Sequence, residues 1–345
     1  MKIAIHHKPG SFSDRWIPYC EKNNIAFKIV NCYDSDIISQ LKDCNGLMWH
    51  WDLNDYKAAL FVKQLTVTIE KMGIKVFPDL NTGWHYEDKL GQKYLLESID
   101  APLVQSYVFY SKQDAFKWLE QTSFPKVFKL RTGASSSNVK LIKNKHEAKR
   151  HINKAFGAGF PHTSSIGRLK ERIYKLNRNK DIESLIRLFG GIARIFIPTE
   201  VEHFSHREKG YIYFQDFIPS NTFDTRLIVV GDRCYGYRRF TRKEDFRASG
   251  SGNYSFDPQL TDKRMVETAF EIAEKLKSQS MAFDFIYDNG KPVIVEMSYC
   301  FCMGNNSADE CPGNWDRNLN WHEEEIKPQI YMIENFVKSL TVGNG

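Results

Sequence analysis

Asp284, Glu296 and Ser298 lie either side of an Asn289-Gly290 pair, in a stretch (281–297) that alternates apolar and polar residues as a β-hairpin does. A two-residue turn at Asn289-Gly290 would send Asp284 and Glu296 to opposite faces. A three-residue loop, Asp288-Asn289-Gly290 with Gly290 left-handed, shifts the register by one and puts both on one face. The apolar residues choose the second arrangement. Only there do Phe283, Phe285, Tyr287, Val293, Val295 and Met297 gather on a core face, leaving Asp284, Glu296 and Ser298 on the other with Ile286 and Ile294. Two carboxylates and a hydroxyl on one strand face suit an oxygen-loving cation such as magnesium. An acidic, solvated hairpin face is the competing reading.

The strands before the hairpin carry Arg226, Arg233, Arg238, Arg239, Arg242, Lys243 and Arg247. Alternation divides them between two faces, so one face can line a polyanion site while the other is solvated. Cations beside a carboxylate metal site are what phosphoryl chemistry requires, because they screen the transferring phosphate while the metal bridges its oxygens. A second basic run, Arg168, Lys170, Arg172, Lys175, Arg178 and Lys180, has only Tyr174 as an aromatic neighbour and reads as a solvated helical insertion rather than a nucleic-acid platform. Cys300-x-Cys302 with Cys311 and His322 matches no common metal template and reads as buried thiols. His203, His206 and His322 read as surface residues.

These groups need elements to position them. Strand-like 3–5, 27–30, 47–49 and 76–77 alternate with helix-like 13–24, 34–41 and 54–72, which predicts a small parallel sheet flanked by helices. The loop His6-His7-Lys8-Pro9-Gly10-Ser11 lies beyond a strand's carboxyl end, where ligands of such sheets collect. From about Asp88 the pattern becomes a helix (88–99), a strand (107–110), a helix (112–121), then a strand (125–130), a Gly/Ser loop (132–138) and a returning strand (139–142). Strand, loop, strand is neither a P-loop nor a dinucleotide fingerprint. Strands over 211–217, 226–230 and 233–240 follow, then a helix (261–277), the hairpin, a polar stretch 304–321 and a last helix (323–340). That polar stretch, with Asp309, Trp315, Asp316 and Trp321, follows the metal strand and is expected near the acceptor of the reaction.

The 345 residues carry a net charge of +6, with 42% hydrophobic and 26% charged residues, an ordinary globular balance large enough for two or three domains. No apolar run approaches the roughly 18 residues of a membrane span. Seven cysteines without a C-x-x-C pattern argue for a reducing compartment, so a cytoplasmic location is expected.

In chain order the features form a series that resembles the ATP-grasp superfamily, and within it the ribosomal-protein glutamate ligase type of carboxylate–amine ligase. Glu87-Asp88-Lys89-Leu90 is similar to the helix that brings in one phosphate lysine. Phe124-Pro125-Lys126-Val127-Phe128-Lys129 and the TGASSSNV loop that follows resemble the second lysine strand and its phosphate cover, with Ser135, Ser136 and Ser137 in the loop. The run YFQDFIPSNTFDTRLIVVGD resembles the hinge. Gln215, Asp216, Phe217 and Ile218 would then border adenine, and Asp224 would face the ribose. RRFTRKEDFRASGSGN resembles the phosphate-facing loop, with Arg247 and Ser249 at nucleotide-contacting positions. Asp284 and Glu296 match the metal carboxylates, and Ser298 stands where the family usually has Asn.

The resemblance implies a mixed α/β and α+β ATP-grasp fold, an N-terminal parallel-sheet domain plus two β-rich subdomains clasping ATP. The boundaries it suggests are 1–87, 88–217 with the basic insertion near 160–192, and 218–345. It implies a carbon–nitrogen ligase that joins a carboxylate to an amine through an acylphosphate and releases ADP and phosphate. ATP and magnesium, with manganese as a substitute, are the implied cofactors, and Arg226, Arg239 and Arg247 the catalytic cations. A surface-polysaccharide sugar acid, an amino acid or a peptide is the suggested acid. A small-molecule kinase that forms no amide is the alternative, and a non-catalytic nucleotide- or nucleic-acid-binding protein the third reading. The partners expected are small molecules, with no membrane and no nucleic acid, and homodimer formation is left open.

Overall fold

A computed structural model describes residues 1–52, 55–133, 138–161, 206–242, 245–325 and 327–342, together with helical positions 169, 172–174, 176, 182, 186 and 188. The first sheet comes from short apolar runs separated by amphipathic helices. Its elements are β1 (Ile3–His6), α1 (Ser13–Lys22), β2 (Phe27–Val30), α2 (Ile37–Gln40), β3 (Gly46–Trp49), α3 (Tyr56–Lys71), β4 (Lys75–Phe77) and α4 (Leu80–Gly83). The strands are parallel in the order β2-β1-β3-β4. Every residue of β1 and β3 is buried, as expected of parallel strands covered on both faces. Helix α3 starts where Asp55 accepts a hydrogen bond from the Ala58 amide, and it buries Ala58, Val62, Leu65 and Ile69 at helical spacing.

A second, antiparallel sheet follows. Helix α5 (Lys89–Ser98) leads to β5 (Ser106–Phe109), α6 (Lys112–Gln121), β6 (Lys126–Lys129), β7 (Val139–Ile142), α7 (Lys145–Ala155) and β8 (Ile212–Asp216), with strand order β5-β8-β6-β7. The third sheet holds β9 (Phe223–Val230), β10 (Arg233–Phe240), β11 (Tyr254–Ser255), β12 (Ser280–Asp288), β13 (Lys291–Ser298), β14 (Gly313–Trp315) and β15 (Trp321–Glu323). Helix α8 (Lys263–Lys275) and helix α9 (Pro328–Val342) accompany it. Its order is β13-β12-β9-β10-β14-β15, all antiparallel, with β11 attached to β10.

The first and third sheets share their hydrophobic cores, in which Leu47, Trp49 and Ile69 pack in one cluster with Leu227, Phe283 and Phe285. The second sheet has its own core of Leu119, Phe128, Ile152 and Phe214. Among the described residues no helix is long and apolar enough to cross a membrane.

The hairpin differs from expectation in a way that matters for the site. Asn289 and Gly290, with φ of 49° and 77°, form the two-residue turn, and Asp288 pairs with Lys291. A β-bulge between the Phe285–Ile294 and Asp284–Glu296 pairs then adds one residue, Val295, to β13 and brings Glu296 back to face Asp284. Consequently Ile294 goes into the core beside Phe285, while Val295 lines the cleft, the reverse of the expected placement.

The polar stretch 304–321 is also more structured than expected. Asp309 accepts hydrogen bonds from Arg15 of α1 and from the Gly304 amide, Trp315 of β14 is buried, and Asp316 accepts from the Asn318 and Asn320 amides. Because 321–323 pair as a strand, the last helix begins at Pro328 rather than at Glu323.

Candidate functional site

Strand register builds the site. Glu296 lies opposite Asp284, Asp284 opposite Arg226, and Arg226 opposite Tyr237, so one row crosses β13, β12, β9 and β10 on a single face. Two residues along, on the same face, Asp224 lies opposite Arg239.

The charges in this face are tightly interlocked. Arg226 donates to Asp284 through Nε at 2.7 Å and Nη2 at 2.8 Å. Arg239 holds Asp224 the same way at 2.6 and 2.7 Å, and its Nη2 also lies 2.6 Å from Asp284 Oδ2. Such two-pronged pairs fix geometry as well as charge. Burial alone would favour a neutral Asp284, but Arg226 and Arg239 outweigh it and hold the carboxyl well below the usual range.

Two lysines come in from the side of the second sheet, and their surroundings make them different. Lys89 opens α5, whose start is fixed by Asp88. The Asp88 carboxylate caps the helix at the Gly91 amide and pairs with Arg131 at 2.6 Å. Lys89 Nζ donates to the Gly133 carbonyl at 2.9 Å and pairs with Glu296 at 2.9 Å. Burial opposes its charge, but Glu296 and Glu87 prevail and hold the ammonium above its ordinary value. Lys129, at the end of β6, donates to the Val295 carbonyl at 3.4 Å. Burial pushes it down to about 8, against the pull of Glu296 and with the help of Lys89. Burial likewise opposes the charge of Glu296, yet Lys89 and Lys129 keep it below its ordinary value.

Beyond these charges the cleft becomes apolar. Val127, Val139, Ile286 and Val295 line it, together with Ile218 and Phe217, whose ring meets Phe246 edge-on at 5.6 Å. A flat apolar slot ending in a charged pocket has the polarity of a nucleotide. Gln215, Asp216, Phe217, Ile218, Asp224, Arg239, Arg247, Ser249, Asp284, Glu296 and Lys129 all line the same cleft.

Several side chains there are already engaged. Gln215 donates to Ser106, Asp216 pairs with Lys126 at 2.5 Å, and Asp224, expected on the ribose side, is held by Arg239. Arg247 pairs with Asp245 at 2.5 Å, and the Ser249 carbonyl accepts from Arg242. Ser298 stands apart, because its hydroxyl donates to the Cys300 carbonyl at 2.7 Å and accepts from the Cys300 amide at 3.2 Å. Ser135, Ser136 and Ser137, Lys243, His203 and most of the basic insertion lie outside the described residues.

Of the remaining arginines, Arg233 stacks on Tyr331 and Arg238 on Phe223. Among the described residues no three His, Cys, Asp or Glu side chains form a metal-binding group, so the Cys300, Cys302, Cys311 and His322 arrangement is not one. Cys302 is exposed rather than buried.

Sequence reasoning missed two residues. Phe246 sat inside a loop motif valued for its arginines. Glu87 is held at a left-handed φ of 54°, and its buried Oε2 has no hydrogen-bond partner among the described residues. Burial raises its carboxyl to about 7 despite Lys89, and Glu296 adds to the rise. A non-glycine residue in that conformation was the only available signal, and it is not visible in a sequence.

Known structures resemble this arrangement over nearly its whole length. A RimK-domain ATP-grasp protein from Sphaerobacter thermophilus aligns at 15% identity and a TM-score of 0.57, covering 98% of this chain and 100% of its own. A D-alanine–D-alanine ligase from Bacillus anthracis, solved with ATP, aligns at 13% identity and a TM-score of 0.57, covering 100% of this chain and 99% of its own. The D-cycloserine synthetase DcsG aligns at 11% identity and a TM-score of 0.58, covering 99% of this chain and 100% of its own. No protein-family model and no curated protein sequence matches the chain. Three sheets in this order, with a charged cleft beside the second and third and structural likeness running end to end, are those of the ATP-grasp fold.

Proposed function

We propose that this chain is an ATP-dependent carboxylate–amine ligase. The observation that carries the proposal is the cross-strand row, in which Glu296 and Asp284 face each other beside Arg226, with Lys89 paired to Glu296 and Lys129 lining the same cleft. The apolar slot at Phe217, Phe246 and Ile286 takes the adenine. Lys89 and Lys129 take the phosphates nearest the nucleoside.

The donor set fits a divalent cation. Asp284 and Glu296 are ionised oxygen ligands on one face, and oxygen ligands are what magnesium prefers. When bound, magnesium supplies charge neutralisation at the phosphate oxygens.

The chain's own groups do the rest. Arg247 lines the cleft with its guanidinium paired to Asp245, and it stabilises the charge that spreads over the transferring phosphoryl group. Arg226 and Arg239 are positioning residues, because the first is spent on Asp284 and the second on Asp224 and Asp284. A carboxylate is a poor electrophile at neutral pH, and phosphorylation supplies its leaving group. An amine then attacks the acylphosphate carbonyl, the C–O bond to phosphate breaks, and an amide, ADP and phosphate result. No protein nucleophile is needed, in keeping with a cleft whose lining, among the described residues, contains no cysteine or histidine.

The test is ADP release from a grid of carboxylic acids crossed with amines, followed by mass spectrometry. An amide product that needs both substrates supports the ligase. ADP release that depends on the acid or an alcohol but never on an amine would replace it with a kinase.

A further inference from the structure

The proposed cation site is unusually short of free oxygen ligands. An ionised carboxylate offers about four lone-pair positions. On Asp284 three are taken, Oδ1 by Arg226 Nε and Oδ2 by both Arg226 Nη2 and Arg239 Nη2. Glu296 has one oxygen on Lys89. Ser298, next on the strand after the buried Met297, is bonded to the Cys300 backbone as both donor and acceptor. Glu296 and the single position left on Asp284 can therefore hold one ion. A second ion would have to share Glu296 with the first, share the one position left on Asp284, or take a hydroxyl that closes a turn.

The arginines also supply the charge a second ion would bring. Arg226 and Arg239 sit against the carboxylates as fixed cations, with few degrees of freedom to lose when a polyphosphate arrives. Adding another divalent ion against the buried Arg239 and the partly buried Arg226 guanidinium groups costs Coulomb energy in a poorly solvated cleft.

We infer that the cleft takes one divalent cation per nucleotide, held by Glu296 and Asp284, with Arg226 and Arg239 standing in for a second ion and Ser298 outside the coordination shell. The inference rests on the nucleotide reading above. It is tested by counting manganese bound to the full chain, from loss of the free-ion EPR signal, in the presence of a saturating non-hydrolysable ATP analogue.

One manganese per bound analogue is expected, and two would overturn the inference while leaving the nucleotide reading intact. Ser298→Ala is the companion variant. It should keep the count at one and change the manganese dissociation constant by no more than about twofold, whereas a loss of about tenfold or more, the size expected for a coordinating or orienting group, would overturn the exclusion of Ser298. Absence of analogue binding, with manganese or magnesium, would overturn the nucleotide reading and this inference together.

Discussion

Lys129 lines the cleft and Lys89 pairs with Glu296, which lines it too, but of the two lysines only Lys129 should titrate near physiological pH. Lys89 is locked to Glu296 at 2.9 Å and stays protonated, while burial brings Lys129 down to about 8. A phosphate in the cleft binds protonated Lys129 better than the neutral amine. Nucleotide affinity is therefore fully developed below pH 8 and declines above it, until the pH passes the higher value that Lys129 acquires in the complex. With the free value at about 8, the protonated fraction falls from about nine-tenths at pH 7 to about one-tenth at pH 9. The dissociation constant should rise about tenfold over that interval, or about 1.4 kcal/mol. Titration with ADP in the presence of a chelator, by calorimetry or tryptophan fluorescence, measures this without a divalent ion at Glu296. Lys129→Arg keeps a charge that does not titrate, so its profile should be much shallower than the wild type's, the remainder coming from the nearby Glu87 at about 7. Lys129→Ala should weaken binding by roughly 1.5–3 kcal/mol at pH 7 and leave the same shallow remainder. A flat wild-type profile, or a slope in Lys129→Arg as steep as the wild type's, would refute the assignment.

Glu296→Gln should remove turnover in the ADP-release assay while leaving the circular-dichroism melt in place, and retained activity would count against a metal-ligating role. His50 and His85 are buried and held neutral, each lowered to about 4 by burial, so the unfolded chain binds more protons than the folded one between that value and the ordinary 6.5. Each costs about 2 kcal/mol of stability between pH 7 and 5, Glu87 works in the opposite sense and offsets one of them, and His6 and His151, also lowered by burial, add to the loss, so urea unfolding should show a net loss of at least about 2 kcal/mol. Equal midpoints at the two pH values would contradict this. Gly313→Ala places a Cβ 2.1 Å from the His322 carbonyl oxygen, a backbone atom that cannot step aside, and should cost roughly 3 kcal/mol in the same assay. An unchanged midpoint would mean that β14 and β15 do not pair as described.

How far the site could be read from sequence depended on which residues needed partners across strands. Lys89 and Lys129 were reached only through the resemblance of the motifs around them, and the structure sets them at a capped helix start and a strand end. The shared face of Asp284 and Glu296 was found for an incorrect reason. Ile294 and Val295 are both apolar, so the alternation gave no sign that one belonged to a bulge, and a longer loop was the only local device that aligned the carboxylates. The embrace of Asp284 by Arg226 and Arg239 needs the register of three strands at once, which periodicity does not contain. The tail misled for a related reason. Trp315 and Asp309 look like recognition residues in a polar run, yet the core takes the first and Arg15, almost three hundred positions earlier, takes the second.

The separate core of the second sheet bears on how the chain comes apart and how the cleft opens. Among the described residues, Leu119, Phe128, Ile152 and Phe214 cluster with no residue of the other two sheets, whereas those sheets interleave their side chains in common clusters. Amide hydrogen exchange should therefore divide this protein into two cooperative units rather than three. Strands β1, β3, β9 and β12 would exchange together through the deepest opening, and β5 to β8 through a shallower one. Lys129 belongs to the shallower unit and Glu296 to the deeper one. Any ligand that bridges them should slow exchange across β5 to β8 without touching their core, which makes protection of that sheet a binding signal that needs no knowledge of the substrate.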